Sequence, residues 1–156
     1  MKRFLPDEQA TAALARQVWH VLPDDLSGWI LLLHGELGAG KSTFARALIA
    51  AAGHEGAVPS PTYTLVEPYQ VSNTNVYHVD LYRISDEEEL RYLGWSDLED
   101  GLRIIEWPER APGLMRQADL ELRLTYQDSG RFAELNGISG RGTAVAEAIA
   151  EFDSQS

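Results

Sequence analysis

The segment Gly35-Glu36-Leu37-Gly38-Ala39-Gly40-Lys41-Ser42 limits the fold of this chain more than any other stretch, because it carries the spacing G-x-x-x-x-G-K-[ST]. That pattern works as a phosphate loop only between a buried strand and a helix. Trp29 to His34, immediately before it, is a short apolar run typical of a parallel strand covered on both faces. Ser42 to Ala52, rich in alanine and leucine and closed by Gly53, reads as the helix. Glycines at 35, 38 and 40 let the backbone curl with its N–H groups inward, which makes an anion cradle at a helix start where the helix dipole also favours phosphate. Lys41 is then placed to reach the β and γ phosphates of a nucleotide, and the Ser42 hydroxyl to complete an oxygen shell around Mg²⁺. The expected binding segment is Glu36, Leu37, Gly38, Ala39, Gly40, Lys41, Ser42 and Thr43.

The flanking sequence supplies the rest of an α/β fold. Ala10, Leu14, Val18 and Leu22 recur at helical spacing behind an Asp7 cap, which predicts an amphipathic helix over 7–22. Aromatic and β-branched content predicts strands from Thr62 to Tyr69 and from Asn75 to Asp80, separated by a polar turn at 70–74. Ser85 with Glu88 resembles a capping box for a short acidic helix, Asp86 to Leu93, and Leu102 to Glu106 reads as another buried strand. Leu120, Leu122 and Leu124 alternate with polar residues before a turn at Asp128 to Gly130, which predicts an antiparallel hairpin. A last helix is expected from Gly142 to Phe152. The expectation is one P-loop NTPase domain over 1–156, a mixed, mostly parallel sheet flanked by helices with the hairpin near the C-terminus.

A phosphate loop needs acidic partners, since Mg²⁺ takes oxygen ligands and its waters are oriented by carboxylates on neighbouring strand ends. Asp80 and Glu106 both end apolar strand patterns, so both are expected at the carboxyl edge of the sheet beside the loop.

Charge and composition narrow the partners. A net charge of −11 repels a polyphosphate backbone, so unaided nucleic-acid binding is not expected. There are only two lysines: Lys2, at what reads as a flexible start, and Lys41. The N-K-x-D segment of the common GTPases is therefore impossible after the loop, which favours ATP over GTP. The most apolar stretch is too short to cross a bilayer and no leader pattern opens the chain, so a cytoplasmic location with no membrane partner is expected.

The motifs converge on a family. Gly35 to Ser42, Ser60-Pro61-Thr62-Tyr63, His78-Val79-Asp80-Leu81-Tyr82-Arg83 and Glu106-Trp107-Pro108-Glu109 follow one another as in the bacterial TsaE family, which this chain resembles from Asp7 to about Leu135. The resemblance implies an ATPase subunit of the machinery that makes N6-threonylcarbamoyladenosine in tRNA, working with TsaB and TsaD and meeting tRNA only through them. It implies Mg²⁺ held by Ser42 and Glu106, a requirement for Asp80, a switch-type role for Thr62, and nucleotide contacts at Thr11 and Arg131. Lys41, Asp80 and Glu106 then form the catalytic set, with slow hydrolysis accelerated by the partners. A small-molecule kinase and a nucleotide-sensing subunit remain alternative readings. Trp107 is open between core and docking surface, and Arg83 between charge stabiliser and structural ion pair.

Overall fold

The computed structural model describes residues 1–61 and 65–154. The expected helix over the first quarter is α1, Glu8–Val21, with the Asp7 carboxylate accepting from the Ala10 N–H at 2.8 Å as its cap. The apolar run before the glycine loop is β2, Ile30–His34, buried along its whole length, and the loop opens directly into α2, Lys41–Ala52. Downstream lie β3, Val66–Val71, β4, Thr74–Asp80, and β5, Gly101–Glu106. The short helix α3, Pro112–Gln117, leads into the hairpin β6, Leu120–Gln127, and β7, Gly130–Gly137, and α4, Gly140–Ser154, ends the fold.

Seven strands form one sheet in the order β1-β7-β6-β2-β5-β4-β3. The four middle strands, β6, β2, β5 and β4, run parallel, and β1, β7 and β3 add antiparallel flanks. The side-chain period of two divides β2 between two cores. Leu31 and Leu33 join Leu14, Val18, Phe44, Leu48 and Ile149 under α1, α2 and α4, whereas Ile30 and Leu32 join Leu81, Leu90, Ile105 and Leu114 on the opposite face. Both faces are covered, which is why β2 reads as a continuous apolar run rather than an alternating one.

Three local expectations need correction. The strand β1, Lys2–Leu5, pairs antiparallel with β7, so Lys2 sits opposite Glu134 in a ladder instead of a flexible start. Four residues with two charges show no usable periodicity, and only β7 supplies the partner. The acidic segment is a 3₁₀ helix, Glu87–Leu93, whose capping box is Asp86 with Glu89, one residue later than Ser85 with Glu88. Finally, β3 begins at Val66 and continues to Val71, so the hairpin turn shrinks to Ser72 and Asn73, both at positive φ. A two-residue turn of that kind matches the twist of the flanking strands. Among the described residues no helix is long and apolar enough to cross a membrane.

Candidate functional site

The carboxyl ends of β2, β4 and β5 meet at one edge of the sheet, and the site is built there because parallel pairing brings those ends into line. Leu33 of β2 pairs with Glu106 of β5, and Asp80 of β4 pairs with Glu106 in turn. The loop from Gly35 to Gly40 leaves the same edge. Gly38 and Gly40 hold φ of 81° and 106°, which side chains rarely adopt, and a Cβ on Gly38 would lie 2.6 Å from the Tyr126 hydroxyl. The backbone conformation favours glycine at 38, whereas the Tyr126 hydroxyl is the far end of an exposed side chain that can move aside.

Lys41 opens α2 and is nearly fully buried, yet its ammonium has no hydrogen-bond partner among the described residues. Its Nζ lies over the ring of Trp107, 3.5 Å from the centroid. Burial pushes the lysine below its ordinary value, and the carboxylates of Glu106, Glu109 and Asp80 pull in the other direction without cancelling it. Trp107 itself is half-buried, holds a left-handed backbone with φ of 59°, and packs against Tyr82 with ring centroids 5.0 Å apart. It thus lines the site while also packing against the core around Ile30, Leu32 and Leu81. Arg83 is exposed.

Glu106 is held between two elements. Its Oε2 lies 2.6 Å from His78 Nε2, and its Oε1 accepts from the Ser42 hydroxyl at 3.5 Å. Asp80 accepts from the Tyr82 N–H at 2.9 Å and is buried beside it. A hydroxyl and two carboxylates form a hard oxygen donor set, and the Lys41 ammonium adjoins it. That combination suits Mg²⁺ sharing its shell with phosphate oxygens and water. Among the described residues no three His, Cys, Asp or Glu side chains form a metal cage of their own.

Thr11, from α1, and Arg131, from β7, come together on the far side of the loop. With Asp7, Gly38, Gly40 and Thr43 they line a cavity of about 320 Å³. Thr11 is buried and Arg131 donates to the Gly38 carbonyl at 3.1 Å. Glu36 and Leu37 point the other way, into a cavity of about 740 Å³ bordered by His34, Trp107, Glu109, Arg123 and Tyr126. Leu37 is 81% exposed there, whereas Ala39 is fully buried and supports the loop from beneath. Thr62 lies outside the described residues.

Two residues at the site were not singled out from sequence. Tyr126 donates to the Leu37 carbonyl at 3.1 Å and carries the Arg131 guanidinium 4.2 Å above its ring. The two are direct partners in the hairpin register, so the hairpin end presses on consecutive loop carbonyls. Those two carbonyls are thereby engaged from the hairpin side, and inside the loop the Ala39 N–H donates to the Glu36 carbonyl at 3.0 Å. His78 is the other. Its motif position was visible, but its contact with Glu106 depends on strand order, which no local pattern reports.

Comparison with known proteins finds relatives that match most of the chain. The family model for "Threonylcarbamoyl adenosine biosynthesis protein TsaE" matches residues 5–133. The chain is similar to the tRNA threonylcarbamoyladenosine biosynthesis protein TsaE of Haemophilus influenzae, with 35% identity over 96% of this chain and 97% of that one. The protein of the same name from Synechocystis is 38% identical over 75% of this chain and 76% of its own. Among solved structures, that of Bacillus subtilis YdiB superimposes with a TM-score of 0.75 at 22% identity, covering 98% of this chain and 95% of that one, a likeness of fold. A match spanning the glycine loop, both carboxylates and Arg131, together with full-length similarity to a curated relative, shows that this chain belongs to the TsaE family.

Proposed function

We propose that the protein binds Mg-ATP on Glu36 to Thr43 and hydrolyses it, as a subunit of the machinery that forms N6-threonylcarbamoyladenosine in tRNA. The observation that supports this best is the buried Lys41 ammonium, which among the described residues lacks a hydrogen-bond partner at the mouth of a curled glycine loop and faces three carboxylates. Leaving such a charge unpaired inside a protein is costly, and a phosphate chain is the group whose charge and shape match the cradle.

In this reading the loop N–H groups hold the phosphates, and Lys41 neutralises charge that develops on the γ-phosphoryl oxygens. Ser42 and Glu106 would hold the magnesium ion, which would supply further neutralisation of phosphate charge. Asp80 orients the attacking water or a water of the metal shell. The water oxygen bonds to the γ-phosphorus as the bond to the bridging oxygen breaks, ADP and inorganic phosphate leave, and a proton passes to solvent. Thr11 and Arg131 contact the nucleotide from the smaller cavity, and Thr62 acts as a switch-type residue. The net charge of −11 leaves tRNA contact to the partners TsaB and TsaD.

The test is phosphate release from ATP by the protein alone and with TsaB and TsaD. Slow release alone and faster release in the complex are expected. Equal rates contradict partner activation, and no release in either case contradicts hydrolysis.

A further inference from the structure

We propose that His78 is the positioning residue for Glu106, fixing the plane of that carboxylate so that one oxygen stays turned toward Ser42 and the metal shell. The inference rests on the Mg-ATP reading of the same site. Asp80 and Glu106 face each other in register across β4 and β5, so His78, two residues before Asp80, shares its face of the sheet and lies diagonally beside Glu106. Both side chains are almost wholly buried, and Nε2 stands 2.6 Å from Oε2. An ionised carboxylate only accepts, so the ring nitrogen is the donor.

The other ring nitrogen, Nδ1, is buried and has no hydrogen-bond partner among the described residues. The one polar contact that the ring makes there is therefore to Glu106. As mere filling, an imidazole is a poor choice at such a place, because an aliphatic side chain occupies similar volume without desolvating two nitrogens. Its value lies in the carboxylate. The terminal torsion of a glutamate is soft and two-fold, so nothing in the chain itself fixes which oxygen faces Ser42. The short bond to His78 does so by engaging Oε2 and leaving Oε1 as the oxygen 3.5 Å from the Ser42 hydroxyl. Partners of this kind, one step removed from a metal, change its affinity by about 10- to 100-fold when lost.

Two amide variants separate this role from general packing. The side-chain nitrogen of His78→Gln reaches about as far as Nε2, whereas that of His78→Asn stops short. ATP affinity is measured by calorimetry as magnesium is titrated, and again in EDTA, after circular dichroism has verified each fold. The magnesium concentration giving half the gain in affinity is expected to stay near the parent value for Gln and to rise about 10- to 100-fold for Asn, with equal affinities in EDTA. An Asn variant that titrates like the parent overturns the proposal, as do Gln and Asn variants impaired alike. Should the Asn protein not fold, His78→Leu takes its place: a Leu variant that titrates like the parent, or Gln and Leu variants impaired alike, likewise overturns the proposal. A parent that binds no ATP at any magnesium concentration refutes the nucleotide reading itself and the His78 role with it, a result distinct from equal binding by parent and variant.

Discussion

Two buried carboxylates at opposite edges of the sheet are treated differently. Asp119, at the start of β6, has both oxygens saturated: Oδ1 accepts from Ser139 at 2.7 Å and Arg141 Nε at 2.9 Å, and Oδ2 from the Ile30 N–H at 3.0 Å and a second Arg141 nitrogen at 3.2 Å. Arg141 also covers Trp29 at 4.5 Å, so α4, β2 and β6 are locked by one cluster. Glu106 keeps one short contact and one long one, next to an ammonium with no hydrogen-bond partner among the described residues. Where every donor is matched the charge serves the fold; where matches are left open, the site has capacity for a ligand.

The contrast breaks most visibly at Asp119. Burial alone raises its carboxyl, but hydrogen bonds from Arg141, Ser139 and Ile30 outweigh that and hold it below 3.8. Its stabilisation is thus complete above the ordinary carboxylate value and is lost as pH falls through the lower folded value. Asp119→Ala is expected to lower unfolding stability by about 2–3 kcal/mol in denaturant titrations at neutral pH and to flatten the acid limb, with ATP affinity of the folded fraction retained. A stability loss under about 1 kcal/mol would place the latch among minor contacts.

Lys41→Ala makes the opposite prediction. It removes a buried charge that no hydrogen bond satisfies among the described residues, so the fold and its unfolding midpoint should hold or improve, while ATP turnover falls by about 10²- to 10³-fold. Undiminished turnover would dissolve the difference between the two edges. The smallest effect belongs to Tyr126→Phe, which deletes one hydrogen bond to the Leu37 carbonyl and keeps the ring under Arg131. A loss of about 1 kcal/mol, roughly fivefold in ATP affinity by calorimetry, is expected without a change in stability. Unchanged affinity would show that the loop holds its curl without the hairpin.

Much of this was legible in the chain because it depends on neighbours in sequence. The glycine spacing, the apolar run of β2 and the cap at Asp7 each act within a few residues, and each appears where its pattern lies. The strand β1 and the 3₁₀ form of 87–93 were not legible, since the first needs β7 and the second depends on how the cap at Asp86 tightens the backbone.

The sequence by itself determined the curled glycine loop and the two acidic strand ends, because backbone conformation and strand patterning are local. Only the tertiary structure decided that β6 lies beside β2 and β5 beside β4. That order places Tyr126 and Arg131 over the loop and His78 against Glu106, contacts between residues 28 to 93 positions apart. Such contacts exist only once separate apolar faces have packed into one sheet, and packing is a property of the whole chain rather than of any segment.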